Sequence, residues 1–255
     1  MTQLTEDRVR STAPVLSVQI DVLTWDDSLN RIQSWAGQRD SRYVCITNAH
    51  SVVSAGQNTE FQSVINGADM ATPDGAPVAW VMRKLGYDKQ ERINGPDLML
   101  RYCELAEQKG ESIFLYGSAP ETLEKLKHKL NDKFPGLHIA GAFSPPFRAL
   151  SAEEDQDVID LINSSGASTV WVSLGCPKQE KWMAAHRGRV KGVMIGVGAA
   201  FDYHAGTIQR APLWMQRRGL EWLHRLCSEP RRLWKRYLVT NTLFIFGAAR
   251  QLCRF

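Results

Sequence analysis

Small polar residues stand directly after apolar runs in this 255-residue sequence, at positions that suit side-chain chemistry. Asp74 lies in a Pro-Asp-Gly turn after one such run, and Thr47 and Asn48 follow another. A carboxylate there can take a proton from a sugar hydroxyl as a general base, or it can cap or turn the chain before the next helix. Thr47 and Asn48 leave a similar choice open, between hydrogen bonding to a sugar and capping a helix.

The segment from Gly175 to Glu180 offers a second group of polar side chains. Its proline suits the first position of a helix, which places Lys178, Gln179 and Glu180 on one helical turn. Backbone amides and Lys178 are suited to a diphosphate, and Gln179 and Glu180 to a ribose or a donor sugar. The same residues also make an ordinary helix start.

Glycines at the ends of other apolar runs allow a ligand to approach the backbone. Gly117 follows Tyr116, and Gly198 precedes Asp202, which can equally be structural. A glycine permits close approach to a phosphate, and the free amides at the start of the following helix attract it. Gly196-x-Gly198 lacks the third glycine of the dinucleotide fingerprint, so the sequence gives little support for NAD.

The pattern Asp155-Gln156-Asp157 is similar to the Asp-x-Asp pair with which many nucleotide-sugar enzymes hold a divalent metal. Here it falls in an acidic stretch at a predicted helix start, where carboxylates interact favourably with the helix dipole. The six histidines include no His-x-x-x-His pair, and the five cysteines include no Cys-x-x-Cys pair. We therefore predict no metal site, no cofactor and no disulfide framework.

Short apolar runs alternate with helical patterns along the first 205 residues. Several runs lack polar alternation, which is typical of strands buried on both faces of a parallel sheet. Helix starts are indicated by Pro96 after Asn94-Gly95, by Ser118 with Glu121, and by Ser151 with Glu154. The predicted fold class is α/β, a Rossmann-like, doubly wound, mostly parallel sheet whose ligand crevice lies beyond the carboxyl ends of the strands. The predicted strands are Val15–Ile20, Tyr43–Thr47, Asp69–Thr72, Ile113–Gly117, His138–Gly141, Thr169–Leu174 and Val193–Val197.

Charge divides the chain into a near-neutral body and a strongly basic end. Residues 206–255 hold ten Arg and Lys against two Glu, a balance of +8, whereas residues 1–205 hold 21 basic and 25 acidic side chains, a balance of −4. Because the β-α alternation also stops there, we predict a catalytic core at 1–205 and a helical appendage at 206–255. The N-terminus, Met1 to Ser11, lacks the apolar stretch of a secretory signal. The predicted location is the cytoplasm, peripherally on the inner face of the plasma membrane.

The appendage has the pattern of a basic amphipathic helix. At about 100° per residue, Arg231, Arg232, Lys235 and Arg236 fall on one side. This pattern suits a helix that lies on an anionic membrane, but docking of the apolar side onto the body or onto a second copy would use the same residues. No nucleic-acid reader motif accompanies the charge, so we predict no nucleic-acid partner. The apolar side is predicted to hold Leu233, Trp234, Tyr237, Leu238, Phe244 and Ile245.

Together these segments resemble the WecG/TagA/CpsF glycosyltransferase family, family 26 of the glycosyltransferases. The resemblance runs from about Val15 to Tyr237, and the stretch from Phe143 to Arg148 is similar to the exopolysaccharide branch, which includes xanthan-type glucosyltransferases. The combination of motifs is specific: Thr47-Asn48-Ala49-His50, Thr72-Pro73-Asp74-Gly75-Ala76-Pro77, Glu91-Arg92-Ile93-Asn94-Gly95-Pro96-Asp97-Leu98, Pro177-Lys178-Gln179-Glu180, Gly196 to Asp202, Arg210-Ala211-Pro212, Gly219-Leu220-Glu221-Trp222-Leu223 and Glu229-Pro230-Arg231-Arg232.

The resemblance implies a GT-E type fold and an inverting transferase that moves a sugar from a UDP donor onto a polyprenyl-diphosphate-linked saccharide. It places the base on Asp74, sugar contacts on Thr47 and Asn48, a diphosphate or sugar contact on Arg92, and another on Gln179. It also implies an undecaprenyl-linked acceptor and no metal requirement. Arginines of the appendage are expected to close over the site and engage phosphates: Arg210, Arg217, Arg231 and Arg232.

One position departs from the family pattern and leaves an acceptor contact open. His50 stands where many members have Glu. Two rivals to the transferase remain at this stage, an NAD-linked Rossmann oxidoreductase and a non-catalytic membrane adaptor built around the basic appendage. Donor sugar, acceptor glycan and homo-oligomerisation are left open.

Overall fold

The computed structural model describes residues 10–254, and within that range the chain forms a parallel sheet flanked by helices. The part of the N-terminus before residue 10 lies outside the described residues. The strands are β1 (Thr12–Val15), β2 (Val18–Asp21), β3 (Arg42–Thr47), β4 (Met70–Pro73), β5 (Ser112–Gly117), β6 (His138–Phe143), β7 (Thr169–Ser173) and β8 (Val193–Gly196). The helices are α1 (Trp25–Gly37), α2 (Ala49–Gln57), α3 (Thr59–Asn66), α4 (Ala76–Lys84), α5 (Gly95–Lys109), α6 (Pro120–Lys133), α7 (Ala152–Ser165), α8 (Lys178–His186), α9 (Ala200–Ala205), α10 (Leu213–Arg217), α11 (Glu221–Ser228) and α12 (Pro230–Leu252).

Six strands form one sheet in the order β4-β3-β8-β7-β5-β6, and each neighbouring pair is parallel. Successive residues of a strand point to opposite faces. Accordingly, Val44 packs into the hydrophobic cluster on one face, and Tyr43 and Cys45 pack into the cluster on the other. Both faces are covered, which confirms the predicted Rossmann-like α/β fold with C-terminal helices.

The predicted strand Val15–Ile20 is wrong in its form. The chain makes an antiparallel hairpin of β1 and β2, separate from the main sheet, with Val15 opposite Val18. The turn uses Leu16 with φ of 54°, a left-handed conformation that a leucine rarely adopts and that the sequence does not signal. The apolar residues of the hairpin pack into the main core, which fixes it there.

Two of the predicted helix starts are confirmed and one is wrong. Ser151 and Glu154 form the reciprocal capping box of α7, and Asn94 caps α5, in which Pro96 lies in the first turn. Ser118 does not cap α6, because it takes φ of 62° and the cap position falls on Ala119 without a side-chain hydrogen bond. Pro120 in the first turn supplies the start instead.

The basic end of the chain folds into α10, α11 and α12, and α12 packs on α2. Phe244 and Ala248 are buried in the main core. The Gln251 amide accepts a hydrogen bond from the Leu16 backbone at 2.8 Å and donates one to the Pro14 carbonyl at 2.7 Å. Helix α12 is therefore anchored on the body, while the predicted domain boundary at residue 205 stays a prediction. No helix between residues 10 and 254 is both long and apolar enough to cross a bilayer.

Candidate active site

The carboxyl end of β4 brings Asp74 and Arg92 together. The Asp74 backbone N–H donates to the Thr47 carbonyl at 3.0 Å, which ties the turn to β3. The Ile93 N–H donates to the Pro73 carbonyl at 3.0 Å, and Arg92 Nε donates to the Asp74 carbonyl. These backbone contacts hold the arginine beside the aspartate, with Arg92 Nη2 3.6 Å from Asp74 Oδ1.

Asp74 does not cap a helix, and its pKa is raised. Helix α4 is capped by Gly75 without a side-chain hydrogen bond, so the structure gives Asp74 no capping role. Burial raises the pKa of Asp74; Arg92 and a hydrogen bond from Asn48 act to lower it, and the nearby Glu221 raises it. Its side chain is one-fifth exposed, which leaves it accessible from the crevice. A carboxylate with a raised pKa accepts a proton more readily.

The Asn48 side chain caps helix α2 and also hydrogen-bonds Asp74. Its Oδ1 accepts from the backbone N–H groups of His50 and Ser51, at 3.0 and 3.2 Å, and so caps α2. The amide also hydrogen-bonds Asp74 and lowers its pKa. Thr47 is buried, and its hydroxyl donates to the Cys45 carbonyl at 3.4 Å. Asn48 is therefore both a cap and a neighbour of the candidate base.

An ion network joins this site to the appendage. Arg92 Nη2 lies 2.5 Å from Glu221 Oε2, and Arg210 Nε lies 3.1 Å from Glu221 Oε1. Arg210 also pairs with Asp97 at 2.5 Å, and Asn94 Nδ2 donates to the same carboxylate at 2.7 Å. Burial raises the pKa of Asp97, but the hydrogen bonds from Arg210 and Asn94 outweigh it and hold the pKa low.

Glu221 is not among the predicted site residues, although it lies in one of the motifs on which the family resemblance rests. It is one of two acidic residues among the last fifty, the other being Glu229. An isolated acid in a basic segment is a signal for a specific ion pair. Its partners, Arg92 and Arg210, become apparent only from the folded arrangement.

Gln179 and Glu180 are buried at the start of α8 and are hydrogen-bonded to other protein groups. Gln179 accepts from the Gly198 N–H at 3.1 Å and donates to Glu180 Oε1 at 3.0 Å, so both ends of its amide hold protein groups. Glu180 is buried, and its Oε2 has no hydrogen-bond partner among residues 10–254. Burial raises the pKa of Glu180. Lys178, on the preceding position, is exposed.

The other predicted ligand contacts fall at two strand ends, those of β5 and β8. Tyr116 is buried and packs between Phe143 and Trp182, with ring centroids at 6.3 and 4.5 Å. Gly117 adopts φ of 109° against the Ser173 carbonyl, a close approach that excludes any side chain. These positions shape the crevice floor through packing.

Gly198 and Asp202 follow β8. Gly198 has φ of 52°, and its carbonyl accepts from Ser173 Oγ at 2.8 Å. Asp202 Oδ1 accepts from the Thr207 hydroxyl at 3.3 Å. Burial raises the pKa of Asp202, and Arg225 and Arg232 are among the groups that lower it.

The four predicted appendage arginines do not act as one group. Arg210 is held in the network with Glu221 and Asp97, beside Arg92. Arg217 and Arg231 are exposed, and Arg232 pairs with Glu229 at 2.5 Å. The structure thus brings one of the four, Arg210, into the ion network around Arg92.

His50 faces the appendage. Its Nδ1 lies 3.4 Å from the Thr240 hydroxyl on α12. Burial lowers the pKa of His50, and Arg236 lowers it further, so the neutral imidazole is favoured. At the position where the family pattern has Glu, this chain makes an uncharged contact to α12.

The Asp-x-Asp pattern lies apart from this network, in the first turns of α7. Asp155 Oδ1 lies 2.8 Å from His186 Nε2, and Asp155 Oδ2 lies 3.1 Å from Arg189 Nη1. Between residues 10 and 254 there is no group of three or more His, Cys, Asp or Glu arranged to hold a metal ion. Asp155 is therefore engaged by a contact to His186 and by an ion pair with Arg189.

The fold and the candidate site place a carboxylate with a raised pKa beside an arginine, at the carboxyl ends of parallel strands in an α/β sheet. The sequence matches the Glycosyl transferase WecG/TagA/CpsF family over residues 13–255. It is 32% identical over 206 residues to the N-acetylglucosaminyldiphosphoundecaprenol N-acetyl-beta-D-mannosaminyltransferase of Bacillus spizizenii, covering 80% of this chain and 78% of that protein. The Bacillus subtilis protein of the same name is 32% identical over 202 residues, with 79% and 77% covered.

This chain belongs to the WecG/TagA/CpsF glycosyltransferase family. The predicted family is thereby confirmed, and with it glycosyltransferase activity in general. The donor, the acceptor and the exopolysaccharide branch stay predictions.

Proposed function

We propose that this protein is an inverting glycosyltransferase that moves a sugar from a UDP-sugar onto a saccharide linked to a polyprenyl diphosphate. The observation that carries the proposal is the Asp74–Arg92 pair at the carboxyl end of β4. The names of the two Bacillus relatives describe transfer onto an undecaprenyl-diphosphate-linked acceptor, which supports the same acceptor class here.

The proposed reaction is a single displacement. The acceptor hydroxyl oxygen forms a bond to the anomeric carbon as the bond from that carbon to the β-phosphate oxygen of UDP breaks. Asp74 receives the hydroxyl proton, and UDP leaves with the electron pair of the broken bond. Attack opposite the leaving group inverts the configuration of the anomeric carbon.

The departing diphosphate develops negative charge that cationic groups must stabilise. Arg92 lies closest to Asp74, and Arg210 follows in the same network. Planar guanidinium groups suit phosphate oxygens because they donate two parallel hydrogen bonds. We assign the leaving-group contact to these two arginines, with no metal required.

A panel of UDP-sugars tests this proposal directly. UDP-glucose, UDP-N-acetylglucosamine, UDP-N-acetylmannosamine and UDP-glucuronic acid are each incubated with a polyprenyl-diphosphate saccharide in detergent, and products are read by mass spectrometry. We expect one donor to add a single sugar with inverted anomeric configuration by NMR. A retained configuration, or no transfer from any UDP-sugar, contradicts the proposal.

The oxidoreductase rival is separated by ligand-dependent unfolding. A ligand that binds only the folded state raises the melting temperature. We expect UDP to raise it and NAD to leave it unchanged. A rise with NAD and none with UDP would overturn the transferase assignment.

We also propose that the appendage places the enzyme on the membrane that carries its acceptor. Ten of the thirteen large apolar side chains exposed between residues 10 and 254 belong to it. Basic and aromatic residues on one surface suit an anionic interface. Co-sedimentation with anionic phospholipid vesicles at low salt is the expected result, and equal recovery with and without vesicles would contradict it. The exposed residues are Leu213, Trp214, Trp222, Leu223, Trp234, Leu238, Val239, Leu243, Ile245 and Phe246.

A further inference from the structure

We propose that Glu221 is a positioning residue for the transfer reaction, which holds the Arg92 guanidinium out of a close ion pair with Asp74. This inference rests on the proposed role of Asp74 as the base. The geometry is asymmetric, since Arg92 Nη2 lies 2.5 Å from Glu221 Oε2 but 3.6 Å from Asp74 Oδ1. The same nitrogen faces two carboxylates, and it contacts the one on the appendage.

Glu221 is itself fixed from the other side. Arg210 Nε lies 3.1 Å from its second oxygen, and Arg210 in turn pairs with Asp97 at the start of α5. Charges therefore alternate along the row Asp74, Arg92, Glu221, Arg210 and Asp97. The Glu221 and Arg210 side chains are less than one-fifth exposed, so their charges are screened less than those of surface pairs.

The arrangement determines how strong a base Asp74 is. A close guanidinium favours the ionised carboxylate and makes it a weaker proton acceptor. With Glu221 present, Arg92 is shared, and the negative charge of Glu221 also disfavours ionisation of Asp74. Without that charge, the nearest carboxylate for Arg92 Nη2 is Asp74. The appendage thus contributes to base strength without touching the reacting atoms.

The groups that face the two carboxylates come from four places. Arg92 and Arg210 pair with Glu221, and Asn48, at the start of α2, hydrogen-bonds Asp74. From α9, Tyr203 interacts electrostatically with both carboxylates. Arg225, on α11, faces Tyr203 in turn, so Tyr203 lies between Arg225 and the two carboxylates. Substitution of Glu221 by glutamine removes its charge and leaves both arginines in the protein.

A carboxyl-carbon NMR titration tests the inference without needing turnover. Protein labelled with ¹³C at aspartate carboxyl carbons is titrated as wild type, Glu221→Gln and Glu221→Asp, and Asp74→Asn assigns the signal. We expect Glu221→Gln to lower the pKa of Asp74 by about one unit, because the positive charge of Arg92 then acts on Asp74 without the opposing negative charge of Glu221. Glu221→Asp, which keeps the charge, should restore at least half of that shift.

The matched control is Glu124→Gln, which makes the same chemical change at the exposed Glu124–Lys127 pair of α6. It should leave the Asp74 titration unchanged. An unchanged Asp74 pKa in Glu221→Gln, or equal shifts in Glu221→Gln and Glu124→Gln, would overturn the inference.

Kinetics supply the second readout. In Glu221→Gln the acidic limb of the kcat profile should move to lower pH by the same amount, and plateau kcat should fall about three- to tenfold, since a weaker base is less effective. A fall in kcat that only follows the loss of folded protein, with the limb unmoved, indicates a structural role and contradicts the inference. If wild-type protein transfers no sugar, the proposed function fails while the carbon titration still decides the role of Glu221.

Discussion

The core and the appendage differ in how far their large apolar side chains are buried. In the core, strand residues such as Val44, Leu115 and Ile195 are fully buried between the sheet and its helices. In the appendage, four tryptophan and leucine residues of α10 and α11 stay exposed: Leu213, Trp214, Trp222 and Leu223. The two regions also differ in charge, with −4 for residues 1–205 and +8 for residues 206–255. Of the thirteen large apolar side chains exposed between residues 10 and 254, three belong to the core and ten to the appendage.

Helix α12 shows the same contrast within a single element. Phe244 is 4% exposed against the core, and Phe246, two residues later, is 71% exposed. The predicted apolar side is divided in the structure: Leu233 and Phe244 are buried, whereas Trp234, Leu238 and Ile245 are exposed. One face docks on α2, and the opposite side combines basic residues in its first half with apolar residues in its second.

The largest effect we predict is the difference in stability between alanine substitutions at these two phenylalanines. Phe244→Ala should lower the free energy of unfolding by about 3–5 kcal/mol, because it leaves a cavity in the core. Phe246→Ala should change it by less than about 0.5 kcal/mol, as is usual for surface positions. Denaturant unfolding of both variants measures the difference.

Vesicle binding should reverse that order. Phe246→Ala removes apolar area that we propose enters the interface, so the partition coefficient should fall about tenfold, in line with roughly 1.5 kcal/mol for part of a phenylalanine side chain. Folded Phe244→Ala should bind vesicles as wild type does. Equal vesicle binding by wild type and Phe246→Ala would remove the distinction between the two faces of α12.

A smaller effect is expected from the basic half of the exposed surface. Arg231→Gln and Lys235→Gln should each weaken binding to anionic vesicles by about 1 kcal/mol, or roughly fivefold. Because the attraction is electrostatic, the loss should shrink at high salt. Sedimentation at low and high salt is the measurement. Lys127→Gln, on α6, is the control of equal charge change, and a similar loss there would show that net charge alone is responsible.

The smallest effect concerns a buried acid of the core. Burial raises the pKa of Glu180 above its unfolded value, so the folded state favours the protonated form. The contribution of Glu180 to stability is therefore most favourable below its unfolded pKa and is lost as pH rises through the interval up to its folded pKa. Glu180→Gln does not titrate and should raise the melting temperature at pH 8 more than at pH 4, by about 2–4 °C per kcal/mol.

Glu154→Gln provides the control with opposite sign. The hydrogen bonds from Arg148 and the Ser151 backbone lower the pKa of Glu154 to about 2. Its contribution is present above the unfolded pKa and is lost as pH falls toward 2, so Glu154→Gln should lower the melting temperature at neutral pH. Shifts of the same sign in both variants would contradict this account of the two carboxyls.

The sequence was sufficient for the sheet because its strands are apolar on both faces. Runs such as Tyr43–Thr47 and Ile113–Gly117 leave few alternatives in an α/β chain. The sequence does not indicate the hairpin, because its turn residues, Leu16 and Ser17, are neither glycine nor asparagine. Tertiary packing imposes the left-handed conformation of Leu16.

Within the site, position along the chain predicted which residues follow the strands but not their partners. Asp74 could be placed at the crevice from its turn directly after a strand, and Arg92 through the family resemblance of its motif. The ion pair of Arg92 with Glu221 joins residues 129 positions apart and depends on how α11 docks. Gln179 has both ends of its amide in protein hydrogen bonds, which the local sequence does not indicate, and its contact to sugar stays a prediction.

The central claim, that Asp74 is the base of a UDP-sugar transfer, is tested most directly by Asp74→Asn with the donor and acceptor that wild type uses. Asparagine keeps the shape but cannot take the proton, and general-base catalysis contributes about 10²–10⁴-fold. We predict that kcat falls by this factor, while UDP still raises the melting temperature as it does for wild type. Near-normal turnover by a correctly folded Asp74→Asn would contradict the claim.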